Sequence, residues 1–381
     1  MSKTIQEINQ KIKNKQATVV TAEEMTRLVR ESGPEKAAEK VDVVTTGTFG
    51  AMCSSGVWLN FGHSDPPIKI ARCWLNDVEG YGGVAAVDTY IGAAQPSASR
   101  GEHYGGAHVI EDLVKRKTLT LRAESPGTDC YPCKAVTTEV TIDTLNQAVM
   151  FNPRNAYQKY AVATNSGKKT LHTYMGRLLP GFGNATYSGA GELSPLINDK
   201  SFRTIGIGTR IFLGGGIGYV TGSGTQHSPE NEFGTLMVQG DLKTMKHKFL
   251  QAASFKNYGP SLYVGIGLPI PVLDAGVAEA AGISDADIKT VVLDYGVPSR
   301  SRPVLGEVSY ADLKSGEIRI KGKPVKTTCL SNTARARLIA GVLKQWIENG
   351  IFLLSEPVEA LSCRGSARPM SEDFSVIPKA S

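Results

Sequence analysis

The amino-acid sequence predicts an α+β fold, built as one large glycine-rich unit with mixed sheets; an irregular α/β arrangement is the alternative. Short β-prone runs and helical segments follow one another without the regular strand–helix cadence of a doubly wound sheet. Glycine accounts for 41 of 381 residues, and this excess indicates many tight turns or backbone brought close to a small ligand. The sequence contains no internal repeat and no long linker. We therefore expect one large unit rather than a string of modules.

The chain begins with a helical segment. Thr21 and Glu24 have the spacing of a capping box, in which a Thr side chain and a Glu side chain cap each other's backbone. This pattern predicts a helix that continues to Glu31, and a second helical piece follows Pro34. We divide the chain into an N-terminal helical segment, a catalytic domain and a polar tail, at 1–40, 41–365 and 366–381.

Alternation and β-branched content predict most of the strands. These strands are Val41–Thr45, Val57–Phe61, Ile68–Leu75, Val84–Ile91, Thr118–Arg122, Glu139–Ile142, Ser261–Ile270 and Lys289–Asp294. Turn signals at 314–316 and 321–324 predict a hairpin over Ser309–Thr328.

Helical spacing predicts four further helices, at Gly106–Lys117, Leu242–Ser254, Ala275–Ala281 and Asn332–Asn349. The first of these ends in cations, which suit the C-terminus of a helix. The last is the clearest helix in the chain, because Gly350 follows it as a C-terminal cap.

Charge and hydropathy exclude several classes of protein. The net charge of +6 is modest, and no run of basic residues reaches the density of a nucleic-acid-binding arm. The N-terminus is polar and has no apolar signal-peptide core, and the most apolar run, 210–220, is too short to span a bilayer. We therefore expect a cytoplasmic protein without a nucleic-acid or membrane partner, and a homo-oligomer is compatible with the sequence.

The glycine-rich segments lack the common nucleotide-binding motifs. Both 206–211 and 214–218 lack the third glycine of the dinucleotide fingerprint. No phosphate loop, nucleophile elbow or zinc-protease helix is present. The glycine clusters at 181–191 and 206–224 are expected to form turns, or to bind a substrate carboxylate through backbone N–H groups.

The six cysteines are the main candidates for chemistry, because cytosolic thiols remain reduced. Cys130 and Cys133 form a Cys-x-x-Cys pair, which is typical of a redox dithiol or of half a metal site. No second pair exists, although Cys329 and Cys363 could supply distant ligands. Cys73 lies in an apolar strand and is predicted to be an inert core residue.

Cys53 has a different setting. A predicted strand leads into Gly47-Thr-Phe-Gly50, and Ser, Ser and Gly follow the cysteine. Such a segment resembles the entry to a helix or a nest of backbone amides, and donors of that kind stabilise a thiolate. On the residues alone, Cys53 and Cys130 are the best candidate nucleophiles.

Four segments carry a more specific signal: Thr45–Gly56, Tyr104–Leu113, Thr128–Pro132 and Asn152–Tyr157. Together they resemble the homocysteine biosynthesis family over roughly 10–365 of the sequence. The characterised members of that family, from methanogens and other anaerobes, are L-aspartate semialdehyde sulfurtransferases. The resemblance implies that Cys53 carries a persulfide and that Cys130 assists it. Cys133 stands where relatives are expected to have a basic or polar residue, so it is either a further redox-assisting thiol or incidental.

The chemistry implied by this resemblance replaces an aldehyde oxygen by sulfur and then adds two electrons. The sequence has no flavin or nicotinamide site, so we expect no tightly bound cofactor. Sulfide would open an oxidised Cys53–Cys130 pair, the resulting persulfide would attack the aldehyde, and an external ferredoxin-like iron–sulfur protein would reset the dithiol. Candidates for binding the amino-acid end of the substrate are Arg100, His108, Arg154 and Arg210.

Two alternatives stay open at this stage. In the first, Cys130, Cys133 and a distant cysteine ligate an iron–sulfur cluster that activates sulfide. In the second, the protein is a non-catalytic sulfur carrier or a scaffold for its ferredoxin-like partner. No mononuclear metal site is predicted, because no two histidines have the spacing of a ligand pair on one helix face.

Overall fold

The computed structural model describes residues 2–362, and within that range it leaves out the side chains of Arg154 and Asn155. Cys363 and the predicted polar tail 366–381 therefore lie outside the described residues. The described part contains seven α-helices and several sheets, and the predicted α+β class is confirmed. None of its helices is long and apolar enough to cross a membrane.

The helices are α1 (Ile5–Lys13), α2 (Ala22–Ser32), α3 (Pro34–Lys40), α4 (Gly106–Val114), α5 (Ala275–Ala281), α6 (Tyr310–Lys314) and α7 (Thr333–Glu348). The strands of the first half are β1 (Val19–Thr21), β2 (Val43–Thr45), β3 (Thr48–Ala51), β4 (Gly56–Asn60), β5 (Arg72–Leu75), β6 (Val78–Gly80), β7 (Asp88–Gly92), β8 (Pro96–Ser97), β9 (Gly101–Gly105), β10 (Leu119–Glu124), β11 (Ala135–Val140), β12 (Gln147–Tyr157), β13 (Val162–Thr164), β14 (Leu171–Thr173), β15 (Gly176–Leu178) and β16 (Ala185–Tyr187). Those of the second half are β17 (Gly206–Ile207), β18 (Arg210–Leu213), β19 (Gly216–Ser223), β20 (Thr235–Asp241), β21 (Leu250–Phe255), β22 (Gly259–Gly267), β23 (Pro269–Pro271), β24 (Lys289–Asp294), β25 (Val304–Ser309), β26 (Glu317–Ile320), β27 (Lys323–Cys329) and β28 (Glu359–Ala360).

The largest sheet has nine strands, in the order β21-β22-β18-β19-β20-β12-β4-β7, with β3 paired to β22 outside this path. One six-stranded sheet has the order β11-β10-β5-β6-β8-β9, and a second has the order β25-β24-β13-β16-β27-β26. The second is mixed, since β13 pairs with β24 and β16 pairs with β27 in parallel while the other pairs are antiparallel. Mixed sheets without a βαβ cadence account for the α+β class.

Several sequence predictions are confirmed in detail. The Thr21–Glu24 capping box opens α2, with each side chain bonded to the other residue's backbone. The boundaries of α5 and β24 match the predicted ranges. Asn332 caps α7 through its side chain, and Gly350 follows the helix at φ 73°, a conformation that glycine adopts without strain.

The predicted helix at Leu242–Ser254 is wrong. The chain there forms two short 3₁₀ turns, Leu242–Thr244 and His247–Phe249, followed by β21. β21 pairs antiparallel with β22 along its whole length, so sheet pairing overrides the local helical spacing. The predicted hairpin at Ser309–Thr328 begins later, at β26, because Ser309 and Asp312 form a capping box that starts α6.

The N-terminal segment is joined to the rest of the molecule by pairing and by packing. β1 pairs in parallel with β2. Ile8 and Ile12 of α1 are fully buried in the same cluster as Phe212, Leu343 and Phe352. Its side chains therefore belong to a core shared with α7 and the nine-stranded sheet.

Candidate active site

Cys53 lies in the turn between β3 and β4, and hydrogen bonds hold this turn on both sides. The Met52 N–H donates to the Leu262 carbonyl at 2.7 Å, and the Ala93 N–H donates to the Ser55 carbonyl at 2.7 Å. Inside the turn, the Ser55 hydroxyl donates to the Met52 carbonyl at 2.8 Å. The buried Asn152 amide donates to that hydroxyl at 2.6 Å. The cysteine is therefore carried by a fixed turn, not by a loose loop.

The glycines around Cys53 serve close packing. A Cβ on Gly47 would lie 2.2 Å from the Ala336 carbonyl oxygen of α7, and a Cβ on Gly56 would lie 2.0 Å from the Tyr90 hydroxyl oxygen. Real Cβ atoms essentially never approach so closely, so a side chain at either position would displace α7 or the neighbouring strand β7. The glycines of this segment thus allow β3 and β4 to pack closely against α7 and β7.

Cys53 opens onto a cavity of about 130 Å³. The turn and the adjoining strands contribute Ala51, Cys53, Ser54 and Ser261 to its lining. Aromatic side chains from three other segments complete the lining: Tyr157, Tyr160, Tyr174, Phe255 and Tyr258. The Tyr258 hydroxyl donates to the Cys53 sulfur at 3.6 Å. The cavity therefore combines a free, partly exposed thiol with a hydroxyl donor and a volume suited to a small molecule.

The four tyrosines of this cavity form a continuous aromatic wall, which we call the tyrosine cage: Tyr157, Tyr160, Tyr174 and Tyr258. The ring centroids of Tyr157 and Tyr160 are 4.6 Å apart, those of Tyr160 and Tyr174 are 6.2 Å apart, and those of Tyr174 and Tyr258 are 6.3 Å apart. These separations are within the range of favourable aromatic pairs. The rings consequently support one another as a wall opposite the thiol.

Cys130 lies in the loop between β10 and β11, where it is exposed. Its neighbour Tyr131 stacks on His63 at a centroid distance of 5.9 Å. Cys133 is half-buried: its N–H donates to the Pro67 carbonyl at 3.2 Å, and its thiol donates to the Ala135 carbonyl at 3.3 Å. All five cysteines of the described residues are free thiols.

The structure does not bring Cys130 into the Cys53 cavity. β4 begins at Gly56, three residues after Cys53, and ends at Asn60, three residues before His63. A five-residue strand spans about 13 Å at ~3.3 Å per residue. The loop of Cys130 is thus attached beyond the Asn60 end of β4, whereas Cys53 lies at the Gly56 end. Cys130 does not line the Cys53 cavity, and a disulfide between the two cysteines would need their Cα atoms within about 7 Å of each other.

Arg100 and His108 come together around Tyr104, away from the Cys53 cavity. The Arg100 guanidinium pairs with Asp77 at 2.8 Å, and this hydrogen bond raises the pKa of Arg100. The guanidinium also lies 3.5 Å from the centroid of the Tyr104 ring. Burial lowers the pKa of His108, whose ring stacks on Tyr104 at 5.3 Å and whose Nδ1 is buried without a hydrogen-bond partner. Neither residue lines the cavity.

Arg210 lies on β18, with its guanidinium carbon 4.7 Å from the centroid of the Phe352 ring, and it does not line the cavity either. The backbone of Arg154 belongs to β12, three residues before Tyr157 of the tyrosine cage, and its side chain is not described. Of the four cations named from the sequence, Arg154 is therefore the one whose strand leads directly to the cavity.

The remaining described cysteines have other surroundings. Cys73 is buried and shares a hydrogen bond with Thr89 at 2.9 Å, so its predicted place in the core is confirmed. Burial raises the pKa of Cys329, which ends β27 and donates to the Gly189 carbonyl at 3.6 Å. In residues 2–362 no three His, Cys, Asp or Glu side chains are grouped as ligands of a metal ion. The iron–sulfur cluster considered from the sequence stays a prediction.

Sequence reasoning missed the tyrosine cage. Tyr258 lies in the turn of the β21–β22 hairpin, between Asn257 at φ 55° and Gly259 at φ 125°. The erroneous helix at Leu242–Ser254 concealed this hairpin and its turn. A signal was present, since Asn-Tyr-Gly between two apolar runs is typical of a tight turn.

Comparison with known proteins gives a consistent result. Residues 17–354 match the profile of the family described as homocysteine biosynthesis enzyme, sulfur-incorporation. The L-aspartate semialdehyde sulfurtransferase of Methanosarcina acetivorans is 58% identical over 376 residues, which are 99% of this chain and 75% of that protein. The L-aspartate semialdehyde sulfurtransferase of Methanocaldococcus jannaschii is 57% identical over an alignment of 390 residues, gaps included, that covers 98% of this chain and 76% of that protein. No solved structure matches the chain.

Proposed function

The chain belongs to the family of sulfur-incorporating homocysteine biosynthesis enzymes, and we propose that it acts as an L-aspartate semialdehyde sulfurtransferase through a persulfide carried by Cys53. Two relatives of that name are 58% and 57% identical to it over nearly its whole length. The observation that carries the choice of Cys53 is its position: a free thiol that opens onto a small cavity and accepts a hydrogen bond from Tyr258.

The size of the cavity fits the substrate of this reaction. A cavity of about 130 Å³ is several times larger than the space that one buried water needs. L-Aspartate semialdehyde is a small molecule with a four-carbon chain. An aldehyde carbon in this cavity would lie beside the sulfur of Cys53, which is the geometry that nucleophilic addition requires.

The sulfur-transfer half of the reaction proceeds without net electrons. Hydrosulfide attacks the Cys53 sulfur of a Cys53–Cys130 disulfide, so that one S–S bond forms, another breaks, and Cys130 leaves as a thiolate. The terminal persulfide sulfur then adds to the aldehyde carbon, and the carbonyl oxygen takes a proton. Attack of the Cys130 thiolate on the Cys53 sulfur restores the disulfide and releases a 1-hydroxythiol, which loses water to give a thioaldehyde.

The reductive half requires two electrons and two protons, because a thioaldehyde is two electrons more oxidised than the product thiol. We assign this role to an external iron–sulfur protein of the ferredoxin class, which delivers one electron at a time. The two electrons reduce the disulfide to the dithiol. The dithiol then passes them, with two protons, to the thioaldehyde, and the disulfide is restored. Electrons and atoms balance over the complete cycle.

The separation of Cys53 and Cys130 adds a requirement to this scheme. The exchange requires that Cys130, which does not line the Cys53 cavity, comes within about 7 Å of Cys53, measured between Cα atoms. Cys133 lies on the same loop and is the alternative resolving thiol. Its hydrogen bonds to Pro67 and Ala135 hold it in place, whereas Cys130 is exposed. We therefore assign the exchange to Cys130.

Arg154 is our candidate for binding the substrate carboxylate, because a guanidinium can bond both carboxylate oxygens and its strand ends at Tyr157. Arg100 is already paired with Asp77, and Arg210 lies against Phe352. Both belong to other parts of the fold, as does His108. We do not retain these three as substrate-binding residues in the proposal.

The experiment is turnover of L-aspartate semialdehyde with sulfide and a low-potential chemical reductant, with homocysteine measured by mass spectrometry. We expect Cys53→Ser to abolish product formation, because no other described thiol lines the cavity. Cys329→Ser, at a half-buried thiol outside the cavity, is the matched control and should retain most of the activity. Substantial turnover by the Cys53→Ser protein would exclude the mechanism.

A further inference from the structure

The wall of the Cys53 cavity is unusual in its chemistry. Its described side chains include four tyrosine rings and one phenylalanine ring, but no Asp or Glu. The faces of aromatic rings carry negative electrostatic potential, and a cation placed within about 6 Å of a ring centroid is attracted to it. The ring faces are therefore the described side-chain groups best suited to a positively charged ligand group.

The hydroxyl of one cage ring is bonded to a residue that does not line the Cys53 cavity. The Tyr174 hydroxyl is hydrogen-bonded to the Tyr295 hydroxyl at 2.7 Å. The Arg302 guanidinium carbon lies 4.4 Å from the centroid of the Tyr295 ring. Both Tyr295 and Arg302 line a neighbouring cavity of about 350 Å³, which shares Tyr160 and Tyr174 with the Cys53 cavity. Tyr174 is thus held by Tyr295 through its hydroxyl and lines both cavities.

We propose that the tyrosine cage binds the α-ammonium group of the substrate by cation–π attraction and selects amino aldehydes over aldehydes that lack the amine. The inference rests on the proposed function, because it takes the substrate to be an amino aldehyde. Cys53 and the cage line the same cavity, so a ligand whose ammonium group lies against the rings has its other end free to reach the sulfur. The cage in this way determines specificity, while the thiol performs the chemistry.

The preference for the amine is measurable without turnover. L-Homoserine and 4-hydroxybutyrate are stable alcohols with the same four-carbon chain, and only the first has an amine. Calorimetric titration of the wild-type protein should give tighter binding of L-homoserine. Equal affinities of the wild-type protein for the two ligands would overturn the proposal, and this comparison needs no variant.

Variants of Tyr174 test whether its ring causes the preference for the ligand with an amine. Tyr174→Leu should weaken L-homoserine binding roughly 3- to 30-fold and leave 4-hydroxybutyrate binding nearly unchanged. Tyr174→Phe keeps the ring and should stay within about 3-fold of the wild type for both ligands. An equal loss for both ligands in Tyr174→Leu would contradict the proposal, since it would indicate a change of cavity shape.

The same proteins also separate this inference from the proposed function. The function is tested by homocysteine formation, and the cage is tested by ligand preference in the absence of sulfide and reductant. If the protein prefers the amine but makes no homocysteine, the proposed role of the cage stands and the proposed reaction is wrong. If the protein makes homocysteine but shows no preference for the ligand with an amine, the proposed reaction stands and the proposed role of the cage is wrong.

Discussion

At the scale of single residues, the proposal depends on the contact between Cys53 and Tyr258. Thiol–disulfide exchange and addition to an aldehyde both need the thiolate or the persulfide anion. A hydroxyl that donates to the sulfur stabilises these anions more than the neutral thiol, because hydrogen bonds to ionised groups are the stronger ones. The 3.6 Å contact from Tyr258 is therefore expected to support every step at Cys53.

Removal of this one hydroxyl should slow the reactions of the Cys53 sulfur without changing the shape of the cavity. In Tyr258→Phe we expect alkylation of Cys53 by iodoacetamide to slow roughly 3- to 10-fold, in line with the net contribution of one long hydrogen bond at a partly exposed site. Peptide mapping of the alkylated protein separates Cys53 from the other thiols. Tyr219→Phe, at another exposed tyrosine, should alkylate at the wild-type rate. An unchanged rate in Tyr258→Phe would show that its hydroxyl does not stabilise the thiolate.

At the scale of elements, the position of Cys53 is determined by strand pairing. β3 pairs with β22 from Thr48 to Ala51, and Tyr263 is opposite Ala51. Tyr258 lies in the turn that joins β22 to β21. One pair of neighbouring strands therefore carries the thiol at the end of one strand and its hydroxyl partner in the adjoining hairpin turn. This arrangement explains why two residues far apart in sequence meet at the site.

The N-terminal helix is attached to the sheet through a buried carboxylate that pairs with two partly exposed lysines. Lys3, before α1, and Lys11, in its last turn, contact the Asp42 carboxylate at 3.0 and 2.7 Å, and the Thr18 N–H donates to it at 3.0 Å. Burial by itself would raise the pKa of Asp42. The hydrogen bonds from Lys11, Thr18 and Lys3 outweigh this effect, so the net pKa lies below its ordinary value of 3.8.

A carboxyl whose pKa is lower in the folded state stabilises the fold above its ordinary pKa, and this contribution is lost as the pH falls through the folded-state value. Asp42→Asn should therefore lower the free energy of unfolding by about 1–3 kcal/mol near neutral pH, measured by urea denaturation. The difference from wild type should shrink as the pH falls below 3.8.

The matched control for this measurement is Asp143→Asn. Asp143 forms an exposed pair with Arg116, and such pairs contribute little to stability. This variant should therefore unfold like the wild type at each pH. If the stability deficit of Asp42→Asn were the same in acid as at neutral pH, the assigned role of the carboxylate would be wrong.

At the scale of the whole molecule, the sequence predicts local elements well and long-range contacts poorly. The capping box at Thr21, the helix α7 and the strand β24 follow from patterns within a few residues. The strand β21, which replaces the end of the helix predicted at Leu242–Ser254, depends on a partner strand that no local pattern reveals. The identity of Cys53 as a candidate followed from its neighbours in sequence. The tyrosine cage could not be predicted, because its rings come from separate segments.

The placement of Cys130 illustrates the same limit. Chemistry pairs it with Cys53, but its loop is attached at the opposite end of β4, where Tyr131 stacks on His63. No spacing in the sequence defines whether two thiols meet, since their distance depends on the path of every strand between them. We therefore assign sulfur binding to Cys53, which lines the cavity, and disulfide exchange to Cys130, which does not line it.

The most direct measurement is the location of the transferable sulfur. The protein is oxidised with one equivalent of a thiol oxidant, treated with isotopically labelled sulfide, digested without reductant and analysed by peptide mass spectrometry. We expect one extra labelled sulfur on the peptide that contains Cys53, and its loss when L-aspartate semialdehyde is added. Labelled sulfur found on Cys130 or Cys133 instead, or a Cys53 persulfide that persists in the presence of the aldehyde, would contradict it.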